Sequence, residues 1–132
     1  MSEFLRIHQF TNFSANAPLQ YALADVLDGL PEHHLELGAF YQEKRDLFRR
    51  LLRDSPLQPL ACEGTYFQLA DYRAVSDLDD VGFCEWLTKD IGVAAIPVSV
   101  FSLEPQSRGV VRFCFAKDDD TLEEASEKLR KL

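Results

Sequence analysis

The sequence predicts an α+β fold in which helices cover one side of a small mixed or antiparallel sheet. Two observations carry this prediction. Apolar residues recur at three- and four-residue intervals in several segments, as in amphipathic helices. Between those segments lie short runs of β-branched and aromatic residues bounded by glycine and proline, as in strands joined by turns. The predicted order is helix, helix, strand, strand, helix, strand, strand, helix.

The N-terminal part opens with a polar and aromatic stretch for which no helix is predicted. The first helix begins at Asn16, a favourable N-cap residue, with Pro18 in its first turn, and Pro31 ends it. A longer helix follows, and its charged side is expected to be solvated. The apolar side of the first helix contains Leu19, Ala22, Leu23, Val26, Leu27 and Leu30; that of the second contains Leu37, Phe40, Tyr41, Leu47, Phe48, Leu51 and Leu52; the charged side contains Glu43, Lys44, Arg45, Asp46, Arg49 and Arg50.

After Pro56 the apolar pattern takes the period of strands. Leu57 and Leu60 indicate an edge piece, and a strand over residues 64–71 follows a turn. Gly64 in that turn indicates a close backbone approach or an unusual dihedral angle, since glycine tolerates both.

The C-terminal half contains one helix, two strands and a final helix. The first of these helices begins at an N-cap among residues 77–80 and ends at Gly92, a typical C-terminal cap. Strands over residues 93–96 and 110–115 come next. The last helix begins at Asp120, which has capping-box spacing to a glutamate three residues later.

The connection between the last two strands is apolar for a loop. Pro97 cannot donate to a strand ladder, so the chain is expected to leave the sheet there and to cross through residues 98–109. Solvated loops rarely carry several large apolar residues, so this one is expected to lie against another surface. The residues concerned are Val98, Val100, Phe101 and Leu103.

Length and charge restrict the class of protein. A chain of 132 residues with 46% hydrophobic content fits one domain with a buried core. The net charge of −8 and pI of about 4.8 disfavour nucleic acid and anionic membranes as partners. No apolar run of membrane-spanning length and no signal-peptide pattern occurs in the sequence. We therefore expect a soluble, cytoplasmic protein.

Cysteine and histidine residues give no sign of a reactive or metal site. Cys62, Cys84 and Cys114 are widely spaced and embedded among apolar residues, so buried thiols are expected. No cysteine or histidine pair has the spacing of metal ligands. We therefore expect no metal site.

Arg112 is the one residue whose position demands a partner. It lies among β-branched and aromatic residues of a predicted strand, where an unpaired guanidinium would cost several kcal/mol, roughly. One interpretation is a solvated or structural arginine paired with a residue such as Asp71. The other is a planar fork that binds a substrate carboxylate through two hydrogen bonds. The residues by themselves leave both open.

Five ordered segments carry a family resemblance: FSANAPLQYALADVL, FYQEKRDLF, CEGTYFQLADY, GVAAIPVSVF and VVRFCFAK. They resemble the C-terminal part of class I/II aminotransferases, which are pyridoxal-phosphate (PLP) enzymes, and especially the methionine, glutamine and kynurenine branch. The resemblance implies that residues 1–132 form a single small domain of a fold-type I PLP-dependent transferase. The cofactor-binding large domain would lie outside this chain.

The resemblance also implies site residues. In that family the strand arginine at the position of Arg112 binds the α-carboxylate of the amino-acid substrate. Residues near the active-site cleft, or near the partner subunit's site in the family's dimers, are implied as well. These cleft-facing candidates are Phe13, Asn16, Gly64, Tyr66, Pro97 and Phe101. Ala17 departs from the threonine usual in this branch, which puts a hydroxyl contact there in doubt.

Family members are several times longer, and their large domain carries the lysine, aspartate and phosphate-binding groups that hold PLP. None of those motifs occurs in this sequence. We therefore expect no catalytic residue in this chain, no PLP bound to it alone and no activity in isolation. The whole enzyme is expected to be a homodimer that transfers an amino group between an L-amino acid and a 2-oxo acid. The amino acid would be methionine, aromatic or glutamine-like.

A reading from another class is a stand-alone interaction or dimerisation module. Such a protein would keep the small-domain fold without its chemistry. An upstream reading frame that encodes the cofactor lysine would favour the enzyme, and its absence would favour the module.

Overall fold

The computed structural model describes residues 1–103 and 108–132, and it has the predicted α+β architecture. Residues 104–107 of the predicted loop lie outside the described residues. The helices are α1 (Ser2–Thr11), α2 (Ala17–Gly29), α3 (His33–Leu51), α4 (Asp80–Trp86) and α5 (Asp119–Leu129). The strands are β1 (Gln58–Pro59), β2 (Phe67–Asp71), β3 (Ile96–Pro97) and β4 (Val110–Cys114). Except for α1, this is the predicted order.

The four strands form an antiparallel sheet in the order β1-β2-β4-β3. Alternate residues of the two central strands are fully or almost fully buried, as expected for a sheet with one covered face. The side chains between them, on the opposite face, are half-buried or exposed. The covered face contains Gln68, Ala70, Val111 and Phe113, and the open face contains Phe67, Leu69, Asp71, Val110, Arg112 and Cys114.

Aromatic and leucine side chains from the helices complete the core on the covered face. Phe48 of α3 meets Phe113 of β4 with ring centroids 6.1 Å apart. The Tyr72 ring stacks on that of Phe83 at 3.9 Å, and its hydroxyl donates to the carbonyl oxygen of Leu78 at 2.8 Å. A buried phenol therefore keeps a hydrogen bond. Further buried core residues are Leu52, Leu57, Leu87, Phe115, Leu122 and Leu129.

The chain divides into two compact units, Met1–Gly38 and Ala39–Leu132. All residues of the first unit are exposed. The predicted α2 forms, and the Asn16 side chain caps it by accepting from the backbone N–H of Leu19 at 3.2 Å. Its apolar side nevertheless remains uncovered, with exposed fractions from 45% for Val26 to 69% for Leu19. All the described buried residues belong to the second unit.

Helix α1 was not predicted, because the polar residues around it obscured its helical spacing. Phe4, Ile7 and Phe10 follow one another at three-residue intervals, yet all three are exposed. The predicted start of the last helix at Asp120 is also wrong. Asp118 has the extended backbone angles of an N-cap, so the cap lies two residues before the capping-box match at Asp120, and the Asp118 side chain makes no capping hydrogen bond.

The third strand also differs from its prediction. Residues 93–95 lie outside the sheet, whereas Pro97 is part of it and pairs with Val111. Since β3 is an edge strand, the missing proline N–H costs no ladder bond there.

The predicted burial of all three cysteines is correct only for Cys84. Cys62 is half-buried and Cys114 is exposed. Cys114 lies at the end of β4 on the open face of the sheet, where an apolar neighbourhood in the sequence does not imply burial. None of the described helices combines the length and apolar character needed to cross a membrane.

Candidate functional site

Arg112 lies at the centre of β4 on the open face of the sheet. It is opposite Leu69 of β2 and Ile96 of β3. The neighbouring residues Val111 and Phe113 are buried, and strand alternation therefore directs Arg112 away from the core. The side chain is half-buried, so its charge is only partly solvated.

Two aromatic rings flank the guanidinium of Arg112. Its Cζ atom lies 4.7 Å from the ring centroid of Phe67 and 5.4 Å from that of Phe101. These distances allow cation–π attraction, which holds the guanidinium without using hydrogen-bond acceptors. The family resemblance implied Phe101 as a cleft-facing residue, and it implied a cleft-facing turn over residues 64–67 without singling out Phe67. The alternation of β2 could have indicated Phe67, because it shares a face with Leu69, the cross-strand partner of Arg112.

No acidic side chain in residues 1–103 or 108–132 forms a salt bridge with Arg112. Asp71, the structural partner considered from the sequence, is bound by Arg73 instead. The Nε atom of Arg73 donates to Oδ2 of Asp71 at 2.9 Å, and the backbone N–H of Arg73 donates to Oδ1 at 2.9 Å. The side-chain hydrogen bond from Arg73 is the main reason that the pKa of Asp71 is lowered.

Three of the cleft-facing candidates lie in the second unit close to this arginine. Tyr66 is 51% exposed, and its ring meets the Phe67 ring edge-on at 5.7 Å. Pro97 pairs with Val111, the residue before Arg112. Phe101 is 68% exposed and contacts the guanidinium directly. Of these three, Phe101 contacts the guanidinium, Tyr66 contacts the Phe67 ring that flanks it, and Pro97 lies in the neighbouring strand.

Other apolar residues of the 98–103 segment are not covered by the described chain. Val98 is half-buried, whereas Val100 is 54% exposed and Leu103 is fully exposed. The expectation that this loop lies against another surface is therefore not met within the part of the chain that the structure describes.

The prediction for Gly64 is wrong, and the adjacent residue carries the unusual backbone. A Cβ atom added to Gly64 would meet no atom within 4 Å, and its φ angle is not positive. Thr65 has a φ angle of +66°, a conformation that a β-branched residue rarely adopts. The sequence did not indicate a positive φ angle at residue 65, because threonine disfavours that conformation.

Phe13 and Asn16 belong to the N-terminal unit. Phe13 is 87% exposed. The Asn16 carboxamide oxygen is occupied by the cap of α2, where it accepts from the N–H of Leu19. Within this chain Asn16 therefore has a structural contact of its own.

Asp80 is a further polar residue near the site that the sequence did not single out. It is 1% exposed, and its two carboxylate oxygens both accept hydrogen bonds from Ser99. Burial acts to raise the pKa of Asp80, but hydrogen bonds from Ser99 and the Val98 backbone outweigh it, so the pKa is lowered. Asp80 was one of three aspartate N-cap candidates, and the actual cap is Asp79, whose Oδ1 accepts from the N–H of Gly82 at 2.7 Å.

A half-buried guanidinium that forms no salt bridge within the described residues is suited to pairing with an anion. Three of the five lysines are held in ion pairs at 2.7–2.9 Å: Lys44 with Asp119, Lys89 with Glu85 and Lys128 with Glu124. Lys117 and Lys131 are exposed. The described residues contain no cluster of three or more side chains that could hold a metal ion.

The family match and the related proteins point to the same enzyme family. Residues 1–129 match the family described as aminotransferase class I and II. Methionine aminotransferase of Escherichia coli (strain K12) is 53% identical over 131 residues, which are 99% of this chain and 34% of that protein. Human kynurenine–oxoglutarate transaminase 3 is 34% identical over 143 residues, covering 94% of this chain and 32% of that protein.

Solved structures agree with the sequence relatives. A methionine aminotransferase from E. coli superposes with a TM-score of 0.87 at 53% identity, covering 99% of this chain and 35% of that one. N-succinyldiaminopimelate aminotransferase from Mycobacterium tuberculosis gives a TM-score of 0.83 at 35% identity, covering 93% and 32%. The chain spans about a third of the length of these relatives. By the family match over residues 1–129, this chain belongs to the class I and II aminotransferases.

Proposed function

We propose that this chain is the C-terminal small domain of a PLP-dependent aminotransferase and that Arg112 binds the α-carboxylate of its amino-acid substrate. One observation carries the proposal. Arg112 lies on the open face of the sheet, between the rings of Phe67 and Phe101, and no acidic side chain in the described residues forms a salt bridge with it.

A carboxylate complements this arginine in shape and charge. Guanidinium presents parallel N–H donors in a rigid plane, and a carboxylate accepts two of them at once. The flanking rings limit the orientations of the guanidinium, so less side-chain freedom is lost when the anion binds. Arg112 would thereby fix the substrate's α-carbon relative to the rest of the active site, which favours reaction by orientation.

The chemistry itself would come from the remaining two thirds of the enzyme. PLP, when bound, supplies an electron sink for the substrate's α-carbon. The described residues of this chain do not fit a PLP site, since each lysine is either ion-paired or exposed. We therefore assign this chain substrate binding and orientation, and no proton transfer.

The proposed substrates are L-amino acids with methionine, aromatic or glutamine-like side chains, with 2-oxo acids as amino-group acceptors. Relatives named as methionine aminotransferase and kynurenine–oxoglutarate transaminase support the methionine and aromatic part of this range. The exposed ring of Phe101 beside the arginine, and that of Tyr66 against Phe67, suit such side chains. The proposal includes a large domain, a homodimer partner and a cytoplasmic location. The uncovered apolar residues of Met1–Gly38 fit a contact with the large domain or the partner subunit.

The decisive experiment uses a hybrid enzyme. This chain would replace the matched third of the E. coli methionine aminotransferase, and steady-state kinetics would be measured with methionine and a 2-oxo acid. In the hybrid, Arg112→Gln is expected to lower kcat/KM by about 10- to 150-fold, the effect of losing a hydrogen bond to a charged group. Arg108→Gln is the matched control, because Arg108 is exposed and precedes the strand.

Two results would count against the proposal. An unchanged KM and kcat in Arg112→Gln would remove the substrate-binding role. A folded hybrid that loads PLP but has no activity, even with Arg112 intact, would favour the stand-alone interaction module.

A further inference from the structure

The Asp80 carboxylate binds one residue of the neighbouring loop through both of its oxygens. The backbone N–H of Ser99 donates to Oδ2 at 2.6 Å, and the Ser99 hydroxyl donates to Oδ1 at 2.8 Å. Asp80 is 1% exposed and Ser99 is 9% exposed, so solvent is largely excluded from these contacts. A buried carboxylate is retained only where such hydrogen bonds stabilise its charge.

Ser99 begins the single 3₁₀ turn that contains Phe101. The turn spans Ser99–Phe101, and the N–H of Ser102 donates to the Ser99 carbonyl oxygen at 3.0 Å. Phe101 is 68% exposed, so burial of its ring does little to hold it in place. Its ring nevertheless lies 5.4 Å from the Cζ atom of Arg112. The position of the ring therefore depends on how the backbone of its turn is held.

Capping of helix α4 does not account for the Asp80 side chain. The cap is Asp79, which accepts from the N–H of Gly82. The Asp80 carboxylate instead turns to a residue 19 positions later in the chain. That contact joins the start of α4 to the turn beside Arg112.

We propose that Asp80 is a positioning residue, which holds the Ser99–Phe101 turn so that the Phe101 ring packs against the anion-binding guanidinium of Arg112. This inference rests on the proposed function only for the change in KM that it predicts. The structural part concerns only the packing of Phe101 on Arg112. Asp80 touches neither substrate nor reacting atoms in this scheme.

The ionised carboxylate is the form that suits this role. Both Ser99 groups act as donors toward it, so each oxygen must be an acceptor. An asparagine keeps one acceptor oxygen for the Ser99 N–H, but it carries no charge, and its NH₂ group can pair with the Ser99 hydroxyl only after that hydroxyl turns from donor to acceptor. The lowered pKa of Asp80 means that the carboxylate is charged at neutral pH.

The test is an NMR measurement on the whole chain, with Arg112 Nε–H as the reporter. Ring currents from Phe67 and Phe101 shift this resonance, and Phe101→Leu calibrates the part that comes from Phe101. Asp80→Asn is expected to move the resonance at least halfway toward its Phe101→Leu position. Ser99→Ala, which removes one of the two contacts, is expected to move it less. Asp77→Asn is the control. It removes a negative charge from a nearby exposed residue and should leave the Arg112 resonance unshifted.

An Asp80→Asn chain that stays folded with an unmoved Arg112 resonance would overturn the inference. If Asp80→Asn does not fold, Ser99→Ala becomes the test of the inference, because it keeps the Asp80 carboxylate and the hydrogen bond from the backbone N–H of residue 99. In that case, a resonance unchanged in Ser99→Ala would overturn the inference.

Kinetics in the hybrid enzyme separate the two proposals. Asp80→Asn is expected to raise KM for the amino acid about fivefold, the equivalent of one net hydrogen bond, with little change in kcat. If Arg112→Gln leaves KM unchanged, the substrate-binding proposal fails, while the NMR result still decides the role of Asp80. If Arg112→Gln raises KM but Asp80→Asn changes neither KM nor the resonance, only the positioning inference fails.

Discussion

At the scale of single residues, Arg49 and Arg50 are neighbours on α3 with very different surroundings. Arg50 is exposed, as predicted for the charged side of the helix. Arg49 instead donates to Oε1 of the fully buried Gln68 at 2.9 Å and to the Leu60 carbonyl oxygen at 2.7 Å. Gln68 completes its bonding by donating from Nε2 to the carbonyl oxygens of Leu60 and Leu69. A polar residue on the covered face of the sheet is thus fully hydrogen-bonded.

Arg49→Ala is therefore expected to destabilise the chain by about 1–3 kcal/mol, because it leaves Oε1 of Gln68 buried without a donor. Arg50→Ala, one residue away, should change the free energy of unfolding by less than about 0.5 kcal/mol. Denaturant unfolding of both variants gives the comparison. Adding Gln68→Leu to Arg49→Ala should recover part of the loss, and equal values for the two arginine variants would contradict the network.

Cys84 provides a pH test at the same scale. Burial, with a smaller contribution from the negative charge of Asp80, raises the pKa of the Cys84 thiol from an ordinary 9.0 to about 11. As pH rises past 9, the unfolded chain loses this proton before the folded chain does. Its contribution to stability is thus complete below pH 9 and declines between pH 9 and 11.

Wild type should consequently lose more stability than Cys84→Ala over that pH interval. Comparing the two slopes cancels the titration of lysine and tyrosine side chains. Denaturant midpoints measured at several pH values supply the data. Parallel slopes would mean that the thiol is not shielded as the structure indicates.

At the scale of elements, Gly109, the residue before β4, lies against the side chain of Arg73. Gly109 has a φ angle of +71°, and a Cβ atom there would lie 2.3 Å from Cγ of Arg73. The Gly109 carbonyl oxygen accepts from the N–H of Tyr72 at 2.9 Å, which joins the end of β2 to the start of β4. Arg73 is itself held by Asp71, so its stem has little freedom to move aside.

Gly109→Ala is expected to cost about 1–3 kcal/mol, from the disfavoured angle and the collision together. In an Arg73→Ala background the collision disappears, and a cost of about 1 kcal/mol should remain for the angle. Gly64→Ala is the matched control, since that site is open and its φ angle is not positive. The free energies of unfolding of these variants would be compared by thermal or denaturant unfolding. If Gly109→Ala costs the same with and without the Arg73 side chain, the collision does not contribute.

At the scale of the whole molecule, all the described buried residues lie in Ala39–Leu132. A chain lacking residues 1–32, which keeps α3 intact, should therefore unfold with the same denaturant midpoint as the complete chain. Removing α5 is the control, because it deletes the buried Leu122 and Leu129 and should abolish cooperative unfolding. A large loss of stability on removing residues 1–32 would show that the N-terminal unit supports the core.

Local signals in the sequence determined the types and order of most elements. The N-cap at Asn16 is confirmed, and Gly92 has the predicted left-handed conformation at the end of a π-helical turn, Leu87–Ile91, that continues α4. Both signals depend on neighbouring residues only. Alternating apolar residues placed Arg112 in the middle of a strand, with Phe101 in a nearby loop. The single helix α1 was missed, and β3 and α5 were displaced by a few residues.

The tertiary structure decided which polar groups meet. Asp80 and Ser99 are 19 residues apart and Arg49 and Gln68 are also 19 apart, so no periodicity links the members of either pair. Strand register places both Phe67 and Asp71 on the face of Arg112, two residues either side of its partner Leu69. Only the packed structure shows that the guanidinium lies against Phe67 while Asp71 is bound by Arg73. Periodicity reports the direction of each side chain from its own backbone, whereas contacts between elements arise only when the chain packs.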